Sequence, residues 1–144
     1  MEGLIFRSGT QALGPEELVG FFEGWPDPPS PETHLEILRN SWAVELAREQ
    51  TTGRVVGFIN AISDGVYSAY IPLLEILPSH RGKGIGQELV RRLLKRCKGF
   101  YMVDVCCDED VVPFYRRFGM IEVKGMCQRS FDFQSGVGSG LKED

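Results

Sequence analysis

The sharpest pattern along the chain lies at residues 71–98. An apolar run from Ile71 to Leu77 is broken only by Glu75, and Pro78 and a polar turn follow. Then Ile85, Leu89, Val90, Leu93, Leu94 and Cys97 recur at helical spacing, with Gln87, Glu88, Arg91, Arg92, Lys95 and Arg96 on the opposite face. The stretch reads as strand, loop and amphipathic helix. Upstream, Trp42, Val44 and Leu46 alternate with Ala43, Glu45 and Ala47, which predicts a half-buried strand. Val55 to Ile62 predicts a second, turned by Ser63-Asp64-Gly65, and Tyr70 to Leu77 a third. These three form an antiparallel meander. Tyr101 to Cys107 is a further strand after the helix, and a strand–helix–strand unit of this length forms a parallel pair.

The flanking segments are less regular. Leu4 to Arg7 is a short first strand, and Pro15 to Glu23 reads as a helix with proline near its start. Trp25 to Pro31 is a proline-dense loop, and Pro31 to Asn40 a second helix with Ser30 as N-cap. Asp108 to Phe118 is a further helix closed by Gly119. Met120 to Val123 and Met126 to Phe133 predict a last pair of strands around Lys124-Gly125. Gln134 to Asp144 is rich in glycine and serine and is expected to be a disordered tail. The expectation is one domain, residues 1–133, of α/β (α+β) class: a mixed central sheet, antiparallel and then parallel, flanked by about four helices.

Composition narrows the function. The 144 residues suffice for one core, and 42% hydrophobic with 25% charged residues is ordinary for a globular chain. A net charge of −4 argues against a general nucleic-acid binder. No apolar run reaches the ~20 residues a membrane helix needs, and MEGLIFRSG lacks the form of a signal peptide. Cys97, Cys106, Cys107 and Cys127 show no C-x-x-C spacing and no neighbouring histidine, so no metal site is expected and the thiols read as reduced, in a cytoplasmic protein.

The loop carries the chemistry. Arg81 to Gly86 reads RGKGIG. Glycines at 82, 84 and 86 let the backbone take positive φ and approach a ligand. The first N–H groups of the helix have no intrahelical partner and lie at its positive end, which suits phosphate; Arg81 and Lys83 add charge. A P-loop would need Lys-Ser or Lys-Thr after its glycines, and a dinucleotide fingerprint G-x-G-x-x-G; neither is present.

A third pattern fits. Leu74, Ile76 and Pro78, then Arg81, Gly84 and Gly86, then the amphipathic helix, resemble the strand, [QR]-x-x-G-x-[GA] loop and helix of the Gcn5-related N-acetyltransferases, GNAT. Asp108, Val111, Tyr115, Gly119 and Met120 resemble that family's N-x-x-A-x-x-x-Y-x-x-x-G-F string, with the tyrosine and glycine kept. The resemblance runs from about Val44 to Met120. It implies that acetyl-CoA is the co-substrate and lies where the strand around Leu74 to Leu77 parts from that around Val103 to Cys107. Main-chain groups near Leu74, Ile76 and Leu77 would hold the pantetheine, and the amides of Arg81, Gly82, Lys83, Gly84, Ile85 and Gly86 the pyrophosphate, with Asp108 beside the cofactor.

By the same resemblance Tyr115 supplies a proton to the leaving thiolate. The base is open, because Pro72 stands where many relatives carry an acid. Glu75, a lone carboxylate in an apolar strand, is the nearest substitute; Asp64, Asp108, His34 and a water chain are weaker ones. The acceptor is a small-molecule or peptide amine, and dimers are frequent in the family, which leaves a homodimer open. Two rival readings are a non-catalytic acyl-CoA-binding module and an acyltransferase using a longer acyl-CoA.

Overall fold

The apolar runs before residue 108 form a mixed sheet close to the one that their spacing predicts. A computed structural model describes residues 1–137. In it β1 (Leu4–Ser8), β2 (Ala43–Glu49), β3 (Val55–Ser63), β4 (Ser68–Ile71), β5 (Leu74–Ile76) and β6 (Met102–Val105) make one mixed sheet. The order is β1-β2-β3-β4-β6, antiparallel up to β4, with β6 parallel to β4 and β5 beside β3. Among the described residues three α-helices surround it: α1 (Pro31–Arg39), α2 (Ile85–Arg96) and α3 (Val112–Arg116).

Both sheet faces are covered. Ile85, Leu89, Val90 and Leu93 of α2 pack on Ala43, Ala47, Val56 and Ile59. On the other face Leu35 and Leu38 of α1, with Leu18 and Phe22, pack on Val44, Leu46 and Phe58. Burial on two sides explains one departure: β2 is not half-buried, and Ala43 through Ala47 are all interior. Glu45, expected to face water, is 2% exposed. The Ser8 hydroxyl donates to both its oxygens at 2.7 and 2.8 Å, and Arg96 of α2 lies 3.5 Å away. A buried carboxylate needs such partners.

Other elements differ from expectation. The first helix is only one 3-10 turn, Pro15–Leu18; Gly20 at φ +97° and Phe22 at φ +63° reverse the chain after it. The helix after β6 is divided into a 3-10 turn, Glu109–Val111, and the short α3, with Pro113 in its first turn. Ser30 does cap α1, accepting from the Thr33 N–H at 3.1 Å. The two final strands do not form: residues 120–130 make no strand or helix. Of the expected tail, Gln134 accepts the Asp27 N–H at 2.9 Å, while 138–144 lie outside the described residues.

The third meander strand is interrupted, and this opens the sheet. Ile62 pairs with Tyr70 and Ile59 with Leu74, so Asn60 and Ala61 face three residues, Ile71, Pro72 and Leu73. One extra residue is a β-bulge. Pro72 has no N–H to give a ladder, so the break falls where it does least harm.

Candidate functional site

Beyond the bulge the sheet parts. Ile71 still pairs with Val105 in parallel, but among the described residues β5 pairs only with β3. Antiparallel pairs alternate in which groups they bond. Leu77 donates to Val56 at 2.8 Å and Asn60 donates to Leu73 at 3.3 Å, so the Glu75 main chain faces β3 between them. The main-chain groups of Leu74 and Ile76 therefore point the other way, into the opening. Arg81 Nε donates to the Ile76 carbonyl at 3.1 Å. The Leu77 N–H, committed to Val56, is not free for a ligand.

The glycine loop borders the same opening. Gly82 and Gly84 have φ of +76° and +82°, a conformation that costs other residues energy. Gly84 is the N-cap of α2 and offers no side-chain cap. Among the described residues no protein acceptor takes the N–H groups of 82–87, so the donors at the positive helix end face outward. Gly86 is the hub: a Cβ there would lie 3.7 Å from Phe114 of α3 and 3.9 Å from Ile76 of β5. Loop, β5 and α3 thus meet at one point. Lys83 is exposed beside them, while the Arg81 guanidinium also reaches Glu23, at 3.2 Å.

Tyr115 follows Phe114 on α3 and is 6% exposed, in the cluster holding Ile71, Leu77 and Ile85. Burial, with the Cys107 thiol at the end of β6, pushes its hydroxyl up to about 12. It keeps its proton near neutrality. Asp108 is exposed at the start of the turn leading to α3 and caps nothing with its side chain.

Glu75 projects to the opposite face from Leu74 and Ile76, as strand alternation requires. One carboxylate oxygen accepts the Phe22 N–H at 2.9 Å; the other is buried without a partner among the described residues. Burial raises its pKa, against the opposing Phe22 hydrogen bond and the Arg81 charge. Phe22 was invisible as a site residue in the sequence, since nothing marks a phenylalanine for positive φ. Its inverted backbone aims the amide at Glu75.

The other candidate bases are occupied or remote. Asp64 accepts from the N–H groups of Val66, Tyr67 and Ser68 at 2.8, 2.8 and 3.3 Å, which holds its carboxyl below the usual range. It shapes the β3–β4 turn. His34 lies among Phe21, Phe22 and Phe58, the last with ring centroids 4.4 Å apart. Both ring nitrogens are buried without partners among the described residues, and burial lowers its pKa from 6.5 to about 4. The folded protein therefore resists a proton that the unfolded chain accepts below about pH 6.5. Stability should fall as pH drops from 6.5 to 4, by on the order of 3 kcal/mol, and level off below. Urea melts across this range check it; a His34→Phe protein should show a flatter dependence.

A concavity of about 430 Å³ lies elsewhere, lined by Ile5, Arg7, Gln11, Arg48 and Gln50 among others. It includes none of residues 71–86.

Comparison with known proteins agrees with this architecture. A crystal structure from Deinococcus radiodurans R1, provisionally named an acetyltransferase, superposes with a TM-score of 0.91 at 45% identity, covering 96% of each chain. A GNAT-family acetyltransferase from Streptococcus pneumoniae TIGR4 superposes with a TM-score of 0.72 at 26% identity, over 88% of this chain and 98% of that one. The chain belongs to the acetyltransferase (GNAT) family, whose pattern matches residues 10–120; it is thus an acyltransferase by family. Among sequence relatives, the "Uncharacterized N-acetyltransferase ycf52" of Porphyra purpurea is 28% identical, over 85% of this chain and 75% of its own length. "GCN5-related N-acetyltransferase 1, chloroplastic" of Arabidopsis thaliana is 28% identical over 86% of this chain and 66% of its own length.

Proposed function

We propose that the protein transfers an acetyl group from acetyl-CoA to the amine of a small molecule or peptide. One observation carries this reading: the bulge at residues 71–73 turns the main-chain groups of Leu74 and Ile76 outward, beside the unpaired amides of 82–87. An extended pantetheine arm can pair with the first, and a diphosphate with the second. Gly82, Gly84 and Gly86 allow close approach, and Lys83 supplies charge.

In the reaction the amine nitrogen bonds the thioester carbon, the carbon–sulfur bond breaks, and the sulfur leaves as thiolate. An ammonium must first lose a proton. Glu75 is the base in this reading, because its buried second oxygen is unpartnered and its pKa is raised toward neutrality. Tyr115 protonates the thiolate, since its hydroxyl holds its proton throughout the working range. Glu75 lies on the face shared with Phe22 and α1, so the acceptor enters from there.

A Glu75→Gln protein tests this. The amide oxygen can still accept from Phe22, so the loop stays in place. We expect kcat/KM to fall about a hundredfold. The wild type should lose activity as pH falls through the raised Glu75 pKa; the variant should lack that limb with an acceptor amine already neutral at the start of the range. CoA release from acetyl-CoA across an amine panel is the assay. Binding without release for every amine would instead favour a non-catalytic acyl-CoA module, and faster release from longer acyl-CoAs another donor. We place this work in the cytoplasm, on the reading of Cys97, Cys106, Cys107 and Cys127 as reduced thiols. Among the described residues no helix is long and apolar enough to cross a membrane.

A further inference from the structure

The concavity at the β1 side of the sheet lies away from the opening beside β5. Ile5 pairs with Arg48 and Arg7 with Leu46, so strand alternation puts these four side chains on one sheet face, the face of Leu46 and the α1 layer. Ile5 and Leu46 line the concavity with apolar surface, and Arg7, Arg48, Gln11 and Gln50 with polar surface, around about 430 Å³. Sites for small ligands begin at about 300 Å³. Glu49 also borders the space, but its side chain alternates to the other face. There its carboxylate meets His80 Nε2 at 3.1 Å and accepts from the Thr52 hydroxyl at 3.1 Å.

Arg48 is the centre of this surface. Its side chain is 17% exposed. Nη1 donates to the Glu17 carboxylate, and to the Gly53 carbonyl at 2.8 Å. Among the described residues Nε and Nη2 make no hydrogen bond. That edge of a guanidinium is the fork that takes a carboxylate through two parallel bonds. Arg7 is exposed and forms no ion pair among the described residues. Glu17 balances Arg48, so the positive charge left over is that of Arg7, which suits a monoanion better than a phosphate dianion. The loop after β1 closes the rim. Gly9 takes φ +86°, and a Cβ there would lie 2.5 Å from Gln11 Oε1 and push that amide aside. Ala12 holds φ +59°, a costly backbone for a residue with a Cβ. Strain of this kind gathers at ligand clamps.

We propose that this concavity binds a small organic carboxylate. The carboxylate pairs with the Nε–Nη2 edge of Arg48 and with Arg7, and a short apolar body lies on Ile5 and Leu46. The neutral amides of Gln11 and Gln50 border the head group and can donate to it. The site is separate from the glycine loop, since none of residues 71–86 lines it, and it is independent of acyl transfer.

The test uses the full chain, isotope-labelled for NMR and titrated with benzoate at constant ionic strength. The Arg48 Nε–H and the main-chain amides of residues 7–12 should shift together along one saturating curve, with a Kd of about 5 mM or below. Benzamide, the uncharged analogue, should bind at least about tenfold more weakly, and acetate, which lacks the ring, at least about threefold more weakly. Shifts that do not saturate by about 50 mM benzoate, equal binding of benzamide, or displacement of benzoate by acetyl-CoA would each overturn the proposal. Arg7→Gln changes an exposed position and should weaken benzoate binding about threefold with the melting temperature unchanged. Arg48→Lys keeps a charge for Glu17 but loses the fork, and should weaken binding at least about tenfold; unchanged affinity in both variants would overturn the proposal. Should Arg48→Lys fail to fold, Arg7→Gln and the wild-type comparison of benzoate with benzamide still decide. A protein that released no CoA from acetyl-CoA would leave this result standing.

Discussion

Replacing Gly84 with glutamate is expected to weaken CoA binding at least about a hundredfold, measured by calorimetry. The residue is the N-cap of α2 at φ +82°, where any side chain carries about 1–2 kcal/mol of strain. Space is not the obstacle, since a Cβ would meet only Met1 Cε, at 3.9 Å. The larger effect is the added carboxylate beside amides that are to receive a diphosphate. Like charges about 4 Å apart repel by about 4 kcal/mol near a protein surface, more than the roughly 2.7 kcal/mol that a hundredfold loss requires. Gly84→Ala separates the causes: it brings the strain without the charge and should lose only a fraction of the affinity. Equal affinity of the Gly84→Glu and wild-type proteins would remove the loop from the binding site.

The second large effect belongs to Tyr115. Tyr115→Phe should lower kcat about a hundredfold and leave acetyl-CoA affinity near that of the wild type. The phenyl ring keeps the edge contact with Phe114, whose centroid is 5.0 Å away, so packing is preserved. Only the proton is lost. Because the hydroxyl is pushed up to about 12, the wild-type protein should keep this donor well above neutral pH. Steady-state kinetics with a fixed amine, alongside binding of acetyl-CoA alone, measure the two quantities separately. An unchanged kcat would exclude Tyr115 from the chemistry.

Much of the fold was legible because its signals are local and redundant. The α2 stripe, the capping serine of α1 and strands β1, β2, β3 and β6 follow from local spacing. The GNAT pattern could be read at Arg81, Gly84 and Gly86 for the same reason: glycine before a helix has a backbone cause. What was not legible depends on partners distant in sequence. Glu45 resembles a solvent-facing residue until Ser8 and Arg96 close over it. Phe22 resembles a core residue in a helix, and only the fold reveals its inverted backbone and its bond to Glu75. Pro72 marked a departure from the family pattern, but the register change around it needs β3 as a ruler. The final strands were misplaced for a different reason. Alternating apolar residues favour a strand, but a strand forms only where a neighbouring edge pairs with it, and among the described residues none pairs with 120–130.

The three residues of β5 carry three tasks in three directions. Their outer main-chain edge faces the opening, the Leu74 and Ile76 side chains meet the α2 layer, and the Glu75 side chain meets Phe22. In the proposed reading the donor is therefore gripped mostly by backbone, which tolerates side-chain change, whereas the incoming amine would meet side chains and loops. On that reading, changes at residues 20–34 should alter acceptor choice while leaving donor affinity near its original value.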